Sequence, residues 1–214
     1  MVNHGRRIFT IILILALVIG LVLGGYLIYR LLSDKAIRDE AAQAVDEFED
    51  IIKVVLEDEP NNTVTENESE EGQTTRRAVS GIRYKTFPVV GTIYIPKTGA
   101  KYPIVYDYSP AAMDSAIVML YGPGLNEVGN TVIVGHNYRN GNFFGSNKRL
   151  QEGDLIYITD LMGRQIEYTI YNKYETSDVD FAYATRETNG AREISLSTCT
   201  SNAAVRLIIW AKES

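Results

Sequence analysis

The chain has 214 residues, a net charge of −6 from 27 acidic and 21 basic side chains, and a hydrophobic fraction of 45%. The acidic balance argues against a nucleic-acid partner, which selects a basic face, and the length suits one folded domain with appendages. A single cysteine, Cys199, excludes an intramolecular disulfide and a cysteine-based zinc cluster.

In chain order, the first feature is an uncharged apolar run from Ile8 to Tyr29, preceded by Arg6 and Arg7 and followed by Arg30, Lys35 and Arg38. Its 22 residues, as a helix at about 1.5 Å per residue, cover a hydrocarbon core of about 30 Å. A cleaved signal has a shorter apolar stretch with small residues close behind. Here the nearest such triplet, Ala42-Gln43-Ala44, lies well beyond the run. An uncleaved transmembrane anchor over 8–29 is therefore expected, after a short N-terminus at 1–7.

Ser33 has the chemistry of an N-cap for a helix starting near Asp34. Ala41, Val45, Phe48, Ile52 and Val55 then recur at three- and four-residue spacing, which predicts an amphipathic helix to about residue 57. We read 30–57 as a helical stalk whose apolar stripe rests on the domain or on a second copy. Residues 58–80 are acidic and polar and start near Pro60. Such a stretch buries too little apolar surface to offset its ordering entropy, so it reads as a flexible acidic linker.

From 81 to 214 the pattern changes to short strands separated by turns. Val89–Ile95, Lys101–Tyr106, Asn130–Val134, Leu155–Ile158, Gln165–Tyr171, Glu193–Thr198 and Val205–Ala211 read as strands. Pro110–Leu120 reads as a short helix with Pro110 in its first turn, and Phe143–Leu150 as one or two helical turns. Asp160-Leu161-Met162-Gly163 suits a hairpin turn. Seven to eight short strands predict a mainly β domain, a closed barrel with few helices, because closure removes exposed strand edges.

The chemistry-bearing residues sit at strand ends. His136 leaves the apolar strand Asn130–Val134 into a Gly/Asn-rich loop, and the only other histidine, His4, precedes the apolar run. Cys199 ends Ile194-Ser195-Leu196-Ser197-Thr198. Arg206 begins the next strand, so a hairpin there makes Cys199 and Arg206 cross-strand neighbours. In that position a fixed cation stabilises a thiolate or binds an oxyanion. Taken singly, each has a plainer reading: a core cysteine, a packing histidine, a surface cation.

Leu196-Ser197-Thr198-Cys199 followed by Val205-Arg206-Leu207-Ile208 resembles the Leu-x-Thr-Cys…Arg signature of sortases. Val134-Gly135-His136-Asn137 with Gly141 and Phe144-Gly145 is similar to their histidine loop. Gly91-Thr92-Ile93-Tyr94-Ile95-Pro96, then Tyr102-Pro103-Ile104-Val105, resembles their opening strand pair. The resemblance covers about 84–213, and the subclass stays open between class B-like and class D-like.

The resemblance implies a Gram-positive cysteine transpeptidase. It would be anchored in the cell membrane by one span, with its N-terminus cytoplasmic and its sortase-like barrel extracytoplasmic. It implies cleavage of an LPxTG-like sorting signal on secreted surface proteins through a Cys199 thioacyl intermediate. The acyl group would pass to an amine of a peptidoglycan precursor or a pilin. His136 would carry protons, Arg206 would stabilise the oxyanion, and Thr198 and Asn137 would contact substrate. The lipid bilayer is expected as a partner of the N-terminal helix, nucleic acid is not, and no metal or other cofactor is expected. The alternatives are a hydrolytic cysteine protease and a non-enzymatic membrane-tethered β-barrel binding module. The Cys-before-His order of papain-like enzymes and the Gly-x-Ser-x-Gly of serine hydrolases are both missing.

Overall fold

The computed structural model describes residues 2–57 and 81–214; the expected linker at 58–80 lies outside the described residues. The chain forms two units, 1–39 and 40–214. Helix α1, Val2–Glu57, is continuous through both. Ser33 is thus an interior helical residue and not a cap, because the helical register of the apolar run carries straight into the stalk sequence. In the first unit, α1 is the one described helix long and apolar enough to cross a membrane. Its large apolar side chains from Ile8 to Leu32 are exposed.

The second unit opens with the end of α1 and continues as nine strands: β1 Arg83–Tyr84, β2 Phe87–Ile95, β3 Ala100–Val105, β4 Ile117–Tyr121, β5 Gly129–Val134, β6 Leu155–Asp160, β7 Gln165–Ser177, β8 Arg192–Cys199 and β9 Val205–Glu213. Their order is β1-β2-β3-β4-β5-β8-β9-β7-β6, and β2 also pairs with β6. The last pairing closes β2 to β9 into an eight-stranded barrel, with β1 added beside β2. Two pairs are parallel, β3 with β4 and β5 with β8. Such pairs need crossover connections, and these bring different loops to one end of the barrel.

Strand alternation builds two cores. Ile104, Ile117, Ile133, Leu196 and Ile209 point to the barrel interior, together with Ile93, Ile156, Ile158 and Tyr168. Their neighbours Val105, Val118, Val132, Val134 and Ile208 face the other way and are still buried. That outer layer is covered by Phe48 and Ile52 of α1, by Ala112 and Ala116, and by Tyr183 and Ala184. The stalk's apolar stripe therefore rests on the barrel wall, helped by a 2.5 Å contact from Lys101 Nζ to Asp46 Oδ1.

The expected helix Pro110–Leu120 divides in two. Helix α2 is Pro110–Ser115; Ala112 N–H donates to the Ser109 cap oxygen at 3.2 Å, and Pro110 opens the first turn. Ile117–Tyr121 is strand β4, since β-branched Ile117 and Val118 pair with β3 and Val118 also pairs with β5, and sheet pairing outweighs weak local preference. The expected turns in Phe143–Leu150 reduce to a 3₁₀ turn, Asn147–Arg149. Strand β7 runs six residues past the expected Tyr171, drawn out by a ladder to β9 that ends at Ser177↔Val205.

Candidate active site

The parallel ladder of β5 and β8 ends on Val134↔Ser197. The next residues of both strands therefore emerge at the same end of the barrel. On β5 these are Gly135 and His136; on β8 they are Thr198 and Cys199. Strand β9 starts there and runs back, and its register sets Cys199 directly opposite Arg206. The expected hairpin is present, with Thr200 N–H donating to the Val205 carbonyl and Val205 N–H to the Asn202 carbonyl.

His136, Cys199 and Arg206 line one cleft of about 340 Å³, together with Asp114, Phe181 and Tyr183. Cys199 is a free, half-buried cysteine on the wall of this cleft. Arg206 Nη1 donates to the Ala203 carbonyl at 2.6 Å, which commits one of the five guanidinium N–H groups and leaves four for other acceptors.

Thr198 is buried, and its hydroxyl donates to the Gly135 carbonyl at 2.7 Å. It lines the cleft while its side-chain donor ties the β8 tip to the histidine loop. Asn137 borders a second hollow of about 190 Å³, where Thr198 and Cys199 form the common wall with the first cleft. Cys199 therefore borders two hollows, one lined by His136 and Arg206 and the other by Asn137 and Glu175.

The histidine loop is tightly specified. The Phe144 N–H donates to the His136 carbonyl at 3.0 Å, and the Phe143 N–H donates to the Tyr102 hydroxyl at 2.9 Å. Phe143 itself has φ 52°, a region costly for an aromatic residue unless its surroundings hold it. At Gly145 an added Cβ would lie 2.1 Å from the Tyr138 carbonyl oxygen, so only glycine closes the turn. The Tyr138 ring lies 5.0 Å from the His136 ring and is backed by Phe143 at 5.6 Å.

Two groups escaped the sequence reading. Asp114, on α2, places Oδ1 at 3.1 Å from His136 Nε2. Tyr138 packs on the imidazole, and burial first and the Asp114 charge second push its phenol up from the ordinary value. An acidic residue inside an expected helix gives no sequence signal of such a role.

The far wall of the cleft is the segment after β7. Thr176 Oγ1 donates to Asp180 Oδ2 at 2.6 Å, and the Ala182 N–H donates to Asp180 Oδ1 at 3.0 Å. These two donors hold the Asp180 carboxyl below the ordinary value. Asp178 N–H donates to the Ala204 carbonyl, fastening the segment to the β8–β9 turn.

The sequence model of the Sortase domain matches residues 93–214. The chain belongs to the sortase family. This sortase is a cysteine transpeptidase, as that family is, and its long apolar helix is consistent with a single-pass membrane anchor. Among curated protein sequences no match is found.

Several solved sortases share its barrel. Sortase D5 of Clostridium perfringens is 23% identical, with TM-score 0.61 over 84% of this chain and 99% of that one. A lid mutant of sortase A from Corynebacterium diphtheriae is 22% identical, with TM-score 0.57 over 79% and 92%. Sortase C-1 from Actinomyces oris is 17% identical, with TM-score 0.56 over 79% and 98%. The likeness is one of fold, spread over classes A, C and D, and it does not choose a subclass.

Proposed function

We propose that this sortase cleaves an LPxTG-like sorting signal through a thioacyl bond to Cys199 and passes the acyl group to an amine of a peptidoglycan precursor or a pilin. The observation that carries this reading is the shared cleft. The only cysteine of the chain and the only histidine of its barrel border it, and Arg206 stands opposite the cysteine in the β8–β9 register.

In this reaction the Cys199 thiol passes its proton to His136, and its sulfur attacks the Thr carbonyl carbon of the signal. A tetrahedral oxyanion forms and collapses to a thioester as the C–N bond breaks. His136 gives its proton to the departing amine. The incoming amine then attacks the thioester carbonyl, loses a proton to His136, and expels the Cys199 sulfur, restoring the enzyme. Arg206 donates N–H groups to the oxyanion in both halves, where fixed donors act most strongly. Thr198 contributes by holding Cys199 and His136 in register, and Asn137 by bordering the second hollow, through which the amine reaches the thioester.

The chemistry also implies an orientation. Secreted proteins and cell-wall amines are met outside the membrane, so the barrel belongs on the extracytoplasmic side, with residues 1–7 in the cytoplasm. Labelling Cys199 in intact cells with a membrane-impermeant thiol reagent tests this; protection until the membrane is opened would reverse the orientation.

The reaction itself is tested by incubating the detergent-solubilised full-length protein with a Leu-Pro-x-Thr-Gly peptide and an amine, then weighing the products. A new amide at the Thr carboxyl together with a trapped acyl-enzyme is expected. Free acid alone, undiminished by added amine, would replace transfer by hydrolysis.

A further inference from the structure

We propose that Asp114 is the positioning residue of the His136 imidazole, and that its carboxylate assigns Nδ1 as the nitrogen that exchanges protons with substrate. The proposal rests on His136 acting as the acid–base group of the reaction described above.

His136 Nε2 lies 3.1 Å from Asp114 Oδ1. A carboxylate only accepts hydrogen bonds, and a neutral imidazole has one N–H. The bond therefore fixes that proton on Nε2 and leaves the lone pair on Nδ1. When the ring is doubly protonated, Nδ1–H is the proton free to leave. In thioester formation it goes to the departing amine; in the second half Nδ1 takes a proton from the incoming amine. The Nε2–H bond to Asp114 persists through both steps.

Asp114 is 69% exposed, and a carboxylate on a loose surface segment holds an ion pair weakly. Here both ends are pinned. Ala112 and Ala116, on either side of Asp114, are fully buried, and the Ser109 cap fixes the start of the helix. The imidazole leaves a central barrel strand and lies against Tyr138, 5.0 Å between ring centres. The Asp114 charge is also felt at the Tyr138 phenol, so the carboxylate, though largely exposed, acts on the ring cluster. Asp114 and His136 line the same cleft as Cys199. A bound signal peptide displaces water there and strengthens the bond. The other charged groups of that cleft are Asp178, from the segment after β7, and Arg206, from β9.

The experiment uses full-length protein in detergent micelles with 15N-labelled histidine. Only His4 and His136 contribute, and a His4→Gln control separates them. At a pH where the ring is neutral, His136 is expected to carry its proton on Nε2 with Nδ1 bare. Asp114→Ala is expected to release the ring into exchanging tautomers. It should lower kcat roughly ten-fold, a small loss for an orienting carboxylate because this one is exposed, while leaving KM for the signal peptide unchanged. Asp114→Asn keeps an acceptor oxygen and should recover most of the rate. A wild-type ring protonated on Nδ1 overturns the proposal. So does Asp114→Ala with unchanged kcat, or with KM rising in step with lost thermal stability, the mark of a merely structural residue. Retained turnover in His136→Ala would instead overturn the acid–base role on which the proposal rests, and the wild-type nitrogen spectrum separates that failure from this one.

Discussion

The Thr198 hydroxyl donates a 2.7 Å hydrogen bond to the Gly135 carbonyl. It links the residue before the cysteine to the residue before the histidine, across the parallel β5–β8 pair. Thr198→Val keeps the shape and leaves a buried carbonyl without this donor. The expected cost is about 1–3 kcal/mol of stability, read by chemical denaturation, with a matching fall in turnover. Thr198→Ser retains the hydroxyl and should behave close to the parent. If Thr198→Val instead keeps full stability and raises only the KM for the sorting signal, the hydroxyl serves substrate and not the scaffold.

Removing the three cleft residues should give different phenotypes. Cys199→Ala leaves no nucleophile, so mass spectrometry should find no acyl-enzyme. His136→Ala and Arg206→Ala should each lower kcat/KM by about 10²–10⁴. Arg206→Lys should recover little, since an ammonium lacks the planar fork that reaches two acceptors. The double His136→Ala, Arg206→Ala variant should lose less than the product of the singles, because groups that act on one transition state are not additive.

The stalk helix carries a prediction about stability. Phe48 is 1% exposed and Val54, six residues later, is 58% exposed. Phe48→Ala empties a site in the buried layer that also holds Tyr84, Val89 and Val105 and should cost about 3–5 kcal/mol. Val54→Ala should stay within about 0.5 kcal/mol. Equal effects of the two in thermal unfolding would mean that the stalk does not dock through this stripe.

What the sequence disclosed followed from what local patterns encode. The closed barrel was legible because its strands are short, β-branched and bounded by turns. His136, Cys199 and Arg206 were legible because each stands at a strand end, and strand ends survive errors of a residue or two in the boundaries. The stripe Ala41, Val45, Phe48 and Ile52 was legible as a buried face, but its resting place was not, since periodicity names a face and not its partner. Strand β4 was hidden because Pro110 opens a real helix and nothing local says that it stops at Ser115; the ladders to β3 and β5 do that. Asp114 was hidden for a related reason. Its contact with His136 spans 22 residues and exists only once α2, and not a longer helix, has set its orientation. The Thr198 bond to Gly135, 63 residues away, likewise needs the β5–β8 register before it has meaning.

Tyr84 gives the docked stalk a signature at high pH. It is 5% exposed, in the layer that Phe48 and Ile52 cover. Burial, then the nearby Glu40 charge, pushes its phenol up from 10.0 to about 12. Because the folded state holds this proton more tightly than the unfolded chain does, its contribution is fully present below pH 10.0 and is lost as pH rises towards about 12. That rise from 10.0 to about 12 corresponds to at most about 3 kcal/mol. Other tyrosines, buried Tyr168 and half-buried Tyr171 among them, are also pushed up, so the informative quantity is a difference. Tyr84→Phe has no phenol to ionise, and its unfolding free energy should decline less steeply between pH 10 and 12 than that of the parent. Parallel curves for the two proteins, measured by urea denaturation across that range, would mean that Tyr84 is hydrated in solution and that the stalk lifts from the barrel wall.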